Sequence, residues 1–245
     1  MNVVFHQFTF GPDGPCTLES VSRIRKLWPL APVYVWEDGG NRLAPEAAAL
    51  LRDRYRCSVR PTLFPRGGNL NGKDCVGGML SCYRFSLGVH PEATHIIKVD
   101  ADTFVCRPGA IEQAVRDDVF AAAWAFNGRG FSGVIEVLSR DLVARMDPLE
   151  DVPGAPPSAP EDLMFGSHAF HLAGDREVRT WPYNPEGGFC ASYQYSAARV
   201  SLEEYIRRFE VITFGSRSRM TGVESDCDKR LTAAMWMARA ARLPA

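Results

Sequence analysis

The first hundred residues alternate between two kinds of apolar pattern, and this alternation limits the folds that the chain can adopt. Short segments rich in Val, Ile, Phe and Trp, at 3–8, 33–36 and 95–99, are typical of buried strands. Between them apolar residues recur at helical spacing, as in 18–28, 45–55 and 76–87. Strands that alternate with helices predict a layered α/β domain.

The second half of the sequence has a less regular apolar pattern, but strands and helices are still predicted in it. We predict strands at 57–64, 120–126, 131–138 and 211–214, and helices after Ser139, near Pro160 and after Ser201. The last helix is predicted over 226–242. We expect one domain over residues 1–245, in which 1–105 form one half and 106–245 form the other half with the C-terminal helix.

Composition excludes several classes of function. The chain has 28 basic and 29 acidic side chains, a net charge of −1, which argues against electrostatic capture of nucleic acid. No apolar run approaches the ~20 residues of a membrane-spanning helix, and the first eight residues lack the features of a signal peptide. Seven scattered cysteines without a Cys-x-x-Cys pair favour reduced thiols, so we expect a cytoplasmic protein without a transmembrane segment.

An acidic pair follows the apolar segment 95–99 directly. Asp100 and Asp102 would lie at the carboxyl end of a buried strand, which is the edge of an α/β sheet where ligands collect. Two neighbouring carboxylates repel each other unless a cation neutralises them, and oxygen ligands suit Mg²⁺ or Mn²⁺. The alternative is a solvated turn. A second Asp-x-Asp pair, Asp226 and Asp228, is better explained as the acidic first turn of the last helix.

Segment 95–105, His-Ile-Ile-Lys-Val-Asp-Ala-Asp-Thr-Phe-Val, resembles the strand and Asp-x-Asp motif of nucleotide-sugar-dependent glycosyltransferases with the GT-A fold. The resemblance covers roughly residues 1 to 175 and includes segments 33–40, 69–84, 131–140 and 160–166, in that order. It implies a single Rossmann-like domain with a mixed, mostly parallel central sheet and helices on both faces. It also implies metal-assisted transfer of a sugar from a nucleoside-diphosphate sugar, most often a UDP-sugar, to a hydroxyl acceptor.

The resemblance assigns roles to individual residues of the donor site. Asp102 would hold Mn²⁺ or Mg²⁺, and Asp100 would contact the metal or the ribose through water. The remaining donor-binding candidates are Asp38, Asn69, Asn71, Lys73, Arg84 and Ala101. Asp38 is explained equally well by an Asp-Gly-Gly turn.

The residues implied for the acceptor and the sugar are Trp124, Asn127, Ser132 and Gly133. Trp124 lies in an alanine-rich segment, where a tryptophan is more often a core residue. We keep both interpretations at this position.

Glu161 and Asp162 resemble the acidic motif that carries the general base in many inverting members of this family. Asp162 is the predicted base, because a sugar hydroxyl needs its proton removed, and Glu161 is the neighbour that could exchange roles with it. Acids in the first turn of any helix, however, are favoured by the helix dipole alone. The residues usual after this motif are missing, which leaves inverting or retaining chemistry open.

A third metal ligand is not evident. Family members commonly add a late histidine, yet every histidine here lies at or before position 171. Ser216, Asp226 or a nearer histidine could substitute, or the diphosphate and water could complete the ligand set.

Two other functions remain possible on sequence grounds. Haloacid-dehalogenase-like phosphatases also place Asp-x-Asp after a strand, but here Phe104 occupies a position where they need Thr or Val. A non-catalytic carbohydrate- or partner-binding module is the other alternative. It is supported by segment 229–242, where basic residues flank an apolar stripe that would suit self-association or a membrane surface.

Overall fold

The computed structural model describes residues 1–62, 64, 72–125, 131–155, 159–182, 184, 187–192, 201–214 and 226–243, without the side chains of 191, 192 and 226–229. Its strands are β1 Val3–Thr9, β2 Val33–Asp38, β3 Ser58–Thr62, β4 His95–Val99, β5 Thr103–Val105, β6 Ala121–Ala125, β7 Ile135–Ser139, β8 Val178–Pro182, β9 Gly188–Ser192 and β10 Phe209–Thr213. Its helices are α1 Gly14–Leu27, α2 Pro45–Asp53, α3 Gly72–Val89, α4 Gly109–Arg116, α5 Arg140–Arg145, α6 Glu161–Leu172, α7 Leu202–Arg208 and α8 Asp226–Ala240.

Seven strands form the central sheet in the order β3-β2-β1-β4-β7-β6-β8. Strands β3, β2, β1 and β4 run parallel to one another, and β6 is parallel to β8. Strand β7 runs antiparallel to both β4 and β6. The predicted mixed, mostly parallel sheet is therefore confirmed.

Helices cover both faces of the sheet, as the α/β pattern predicts. One apolar core lies between the sheet and helices α3, α5 and α6, and it includes Leu80, Phe120 and Phe165. A second core lies on the opposite face against α1, α2 and α4, and it includes Phe5 and Leu51. Because both faces are covered, nearly every residue of the inner strands β1 and β4 is buried.

Polar residues fix several helix ends where the sequence predicts them. The Ser139 hydroxyl accepts a hydrogen bond from the Leu142 N–H at the start of α5, at 3.2 Å. Ser201 does the same for the Glu204 N–H at the start of α7, at 3.2 Å. Pro45 occupies the first turn of α2, where its missing N–H costs no hydrogen bond.

A small second sheet, in the order β5-β10-β9, was not predicted as a unit. Only β10 was expected, and β5, α4, β8 and β9 were missed. Strand β5 has three residues, which is too short for a period to be recognised. Strand β8 is only partly buried and ends in proline, so it lacks the apolar alternation of a typical strand.

Two further features concern the apolarity of the helices and the state of the cysteines. Among the described residues, no helix combines the length and apolarity needed to cross a bilayer. Six cysteines have side chains within the described part of the chain, and all six are buried: Cys16, Cys57, Cys75, Cys82, Cys106 and Cys190. The seventh cysteine, Cys227, has a side chain outside the described residues.

Candidate active site

The order of strands creates a crevice at one edge of the central sheet. Strand β1 lies in the middle of the parallel part of the sheet. Strands β2 and β3 follow it on one side, and β4 is its neighbour on the other side. The carboxyl ends of β1 and β4 therefore meet at a switch point, the usual ligand position in open α/β sheets. Because β7 is antiparallel to β4, its first residue, Ile135, lies at the same edge as Val99.

Lys98 organises the polar groups at this edge. Its side chain is 2% exposed, and its Nζ lies 2.8 Å from Oδ1 of Asp100, whose side chain is 33% exposed. The same ammonium group donates a hydrogen bond to the carbonyl of Gly133. Lys98 thus ties the acidic motif after β4 to the segment that precedes β7.

The first turn of α6 also lies close to Lys98 and Gly133. A Cβ built on Gly133 would lie 3.1 Å from Lys98 Nζ, 3.7 Å from Asp162 Cβ and 3.8 Å from Glu161 Oε1. These distances place the lysine ammonium and both acids of α6 around the same glycine. Gly133, a predicted sugar-binding residue, therefore lies next to Lys98, which contacts Asp100, and next to the predicted base Asp162.

Close packing of α3 against the segment before α6 holds this arrangement. A Cβ on Gly72 would lie 1.7 Å from the carbonyl oxygen of Ala159, so only glycine fits at the start of α3. One turn later, the Cys75 thiol donates a hydrogen bond to Oε2 of Glu161 at 2.9 Å. Helix α3 therefore positions Glu161 through both backbone contact and a side-chain hydrogen bond.

Glu136 is a buried acid beside Lys98. The two residues are cross-strand partners on β4 and β7, and Glu136 is 1% exposed. Burial raises the pKa of Glu136 to about 8, a shift that the nearby carboxylates increase and the charge of Lys98 reduces. Its Oε2 has no hydrogen-bond partner within the described structure. Glu136 is therefore a carboxyl that stays largely protonated at neutral pH.

Tyr83, on α3, lies against the same group of acids. Its side chain is fully buried, and its hydroxyl has no hydrogen-bond partner among the described residues. Burial, and then the charges of Glu136 and Glu161, raise the pKa of this phenol well above its ordinary value. Tyr83 therefore keeps its proton, and the acids lie next to an uncharged phenol.

Asp162 has the properties expected of a general base. It is partly buried at the start of α6, and its Oδ1 accepts the N–H of Leu163 at 2.9 Å. Burial raises its pKa, and the charge of Glu161 raises it further, whereas the hydrogen bond and the Lys98 charge act in the opposite direction. A carboxylate with a raised pKa is a stronger proton acceptor than an ordinary aspartate.

Asp102 lies on the other side of the acidic motif, towards α1. Its backbone carbonyl accepts the N–H of Phe214 at 2.9 Å, which joins it to the end of β10. Its negative charge is one of the causes, after burial, that raise the pKa of the Cys16 thiol on α1. The two acids of the motif therefore face different surroundings, Asp100 beside Lys98 and Asp102 beside α1.

The two carboxylates offer part of a metal site. Carboxylate oxygen suits Mg²⁺ and Mn²⁺, and these ions are often held by one or two carboxylates together with substrate phosphates. Within the described part of the chain, no three His, Cys, Asp or Glu side chains are grouped to hold a metal ion. A divalent ion held by Asp100 or Asp102 would therefore need further ligands from a bound molecule or from water. Ser216 and the Asp226 side chain lie outside the described residues.

The donor-binding candidates are only partly brought together. Ala101 is buried between the two acids. Asp38 ends β2 at the ligand edge, and its Oδ1 accepts the Gly40 N–H at 2.8 Å, which is the turn role that the sequence left open. Lys73 is exposed on the first turn of α3. Asn69 and Asn71 lie outside the described residues.

Arg84 does not lie with the other candidates. It is twelve residues after the start of α3, about 18 Å along the helix axis. Its guanidinium donates hydrogen bonds to the carbonyls of Val143 (3.0 Å) and Met146 (2.6 Å) at the end of α5. The structure therefore places Arg84 in a helix-terminating role, because α3 leads away from the ligand edge.

Of the candidates for sugar and acceptor binding, some lie near Gly133 and others do not. Ser132 is buried, and its N–H donates to the Trp124 carbonyl at 2.6 Å, next to Gly133. Trp124 is 1% exposed and belongs to the apolar core on the α1 side of the sheet. Its indole face is therefore covered by the core, as the alternative interpretation proposed. Asn127 lies outside the described residues.

Sequence reasoning missed four members of this cluster: Lys98, Glu136, Tyr83 and Cys75. The signal for the first two was present, since each is a single charged residue in an otherwise apolar strand. A charge in a buried strand needs a partner, so Lys98 and Glu136 could have been paired in advance. Tyr83 and Cys75 carry no such signal, because both residue types are common on buried helix faces.

Comparison with known proteins gave matches only among solved structures. No protein-family model and no curated protein matches the chain. A glycosyltransferase involved in the glycosylation of the major capsid of PBCV-1 is 7% identical, with 96% of this chain and 100% of that chain covered and a TM-score of 0.49. The mannosyltransferase PcManGT from Pyrobaculum calidifontis, in complex with GDP-Man and Mn²⁺, is 14% identical, with 98% and 73% covered and a TM-score of 0.49.

TarS 1-349 from S. aureus is 16% identical, with 74% of this chain and 58% of that chain covered and a TM-score of 0.49. At identities of 7% to 16%, these similarities do not assign an activity to this chain.

Proposed function

We propose that this protein is a glycosyltransferase that moves a sugar from a nucleoside-diphosphate sugar to a hydroxyl acceptor, with a divalent metal ion. The observation that carries the proposal is the meeting of Asp100, Gly133, Glu161 and Asp162 around Lys98 at the switch point of the sheet. This edge combines acids suited to a metal ion with an acid suited to proton removal.

Each group has a distinct task in the proposed reaction. Asp100 and Asp102 would hold Mn²⁺ or Mg²⁺, and the ion supplies positive charge that stabilises the departing nucleoside diphosphate. Gly133 would let Lys98, Glu161 and Asp162 approach one another closely, because a side chain at this position would meet all three. Asp162 would accept the proton of the acceptor hydroxyl, and Glu161, fixed by the Cys75 thiol, would sit beside it.

Asp162 would act as the base for direct attack by the acceptor hydroxyl on the sugar. A single displacement of this kind inverts the configuration at the reacting carbon of the sugar. Asp38 and Lys73 would contribute to the nucleoside end of the donor, at the carboxyl end of β2 and the start of α3.

Binding and turnover of a donor test the proposal directly. We expect UDP or GDP, together with Mn²⁺, to raise the melting temperature of the protein, and a matching sugar nucleotide to release its diphosphate slowly in the presence of Mn²⁺. Asp102→Asn should abolish the Mn²⁺-dependent stabilisation, whereas Asp53→Asn, which replaces an exposed acid at the end of α2, should not. Failure of both diphosphates to bind with either Mn²⁺ or Mg²⁺ would refute the proposal.

A further inference from the structure

We propose that Lys98 is an internal counter-cation that keeps Mn²⁺ or Mg²⁺ from binding at Asp100 until a nucleoside diphosphate is present. The inference rests on the proposed function, since it concerns the metal that Asp100 and Asp102 would hold. It assigns to Lys98 a positioning and regulatory role, in which the residue acts through Asp100 and does not contact the reacting atoms.

The first argument is that Lys98 is fixed in place. Its ammonium group is buried, and it is held by the Asp100 carboxylate at 2.8 Å and by the Gly133 carbonyl. It also lies opposite Glu136 on the neighbouring strand. A buried ammonium held on several sides does not swing into solvent, unlike an exposed lysine.

The second argument is that the contacts of this ammonium are directed at Asp100. The Asp100 carboxylate lies 2.8 Å from Lys98 Nζ, whereas Oε2 of Glu136 has no hydrogen-bond partner within the described structure. Asp100 is therefore the carboxylate that Lys98 contacts directly.

The third argument concerns what a divalent ion meets at this carboxylate. Oδ1 of Asp100 already contacts a fixed positive charge, so an ion that binds the same carboxylate lies within several ångströms of the ammonium and is repelled by it. The described residues provide no third acidic or histidine ligand to offset this repulsion. A nucleoside diphosphate brings about two to three negative charges and the missing oxygen ligands, and the metal can then bind.

Metal titration of the wild-type protein and of Lys98→Met tests the inference. Mn²⁺ affinity is measured by isothermal titration calorimetry, with and without saturating UDP or GDP. In the wild type we expect the diphosphate to tighten Mn²⁺ binding roughly tenfold or more. In Lys98→Met we expect Mn²⁺ alone to bind roughly tenfold more tightly than it binds to the wild type. The diphosphate should then increase the Mn²⁺ affinity of this variant less than it increases that of the wild type. Lys26→Met, which removes an exposed lysine near the end of α1, is the matched control and should leave the Mn²⁺ affinity unchanged.

A second variant and two possible outcomes make the experiment able to refute the inference. If Lys98→Met does not fold, as judged by circular dichroism, Lys98→Met/Glu136→Gln is measured in its place, because it leaves no buried carboxyl opposite the methionine. A folded variant whose affinity for Mn²⁺ alone is unchanged or weaker would overturn the inference while leaving the proposed function intact. A wild type that binds no Mn²⁺ even with diphosphate would refute both the metal site and the inference.

Discussion

The buried carboxyl of Glu136 should make the stability of this protein fall as the pH rises. Its pKa is about 8 in the folded chain, against an ordinary value of 4.5. A carboxyl with a raised pKa holds its proton more tightly when folded, so its contribution to stability is fully present below pH 4.5. That contribution is lost as the pH rises through 8. Replacement by glutamine, which has the same shape and no charge, should remove this dependence.

The size of the effect follows from the two pKa values. Each pKa unit corresponds to about 1.4 kcal/mol, so Glu136 should make unfolding about 4 kcal/mol easier at pH 8.5 than at pH 5. The difference in unfolding free energy between Glu136→Gln and the wild type should therefore shift by about 4 kcal/mol in favour of the variant over this range. A change of this size is a large part of the stability of a typical domain.

Urea unfolding followed by circular dichroism, at pH 5 and at pH 8.5, measures this shift. Both proteins are compared at each pH, so that titration of other groups cancels. Glu46→Gln, at an exposed position in the first turn of α2, controls for the loss of any carboxylate. A stability difference for Glu136→Gln that stays constant within about 1 kcal/mol would show that Glu136 is ionised beside Lys98, and the argument from burial would be wrong.

Three further predictions concern the site and the fold. Asp162→Asn should lower kcat about 10²- to 10⁴-fold and leave the KM for the donor unchanged, as measured by diphosphate release with a saturating acceptor; equal loss of donor binding would indicate a structural role. Donor turnover by Asp102→Asn should be insensitive to EDTA and close to background, whereas a residual rate that EDTA still abolishes would place the metal elsewhere. Ser201→Ala should cost about 1 kcal/mol in urea unfolding, because it removes the cap of α7, and an unchanged midpoint would contradict that cap.

The sequence predicted the elements that bury a regular apolar face. Strands β1, β2 and β4 and the helices between them were located because their apolar patterns are regular and uninterrupted. Strand β5 and strand β8 were missed for the opposite reason. β5 is fixed by pairing with β10, more than a hundred residues later, and β8 by pairing with β6, and neither partner is visible in a local pattern.

The site was predicted unevenly for a related reason. Motif resemblance selected Asp100, Asp162 and Gly133, which the fold brings to one place. It misplaced Arg84, because position along a helix axis depends on the direction in which α3 leaves the ligand edge. Lys98, in contrast, lies inside the very motif that was singled out, and only the three-dimensional contacts indicate what its charge does.

The reversed direction of β7 has a consequence for how this site can diversify. Strand β6 ends and β7 begins at the ligand edge, and the described residues 131–134 lead into β7 there. Changes in the length of a connection between antiparallel strands cost little in chain entropy and leave the strand register intact. A chain with this topology can therefore change the groups next to Lys98 without moving the parallel strand β4, which leads into Asp100 and Asp102.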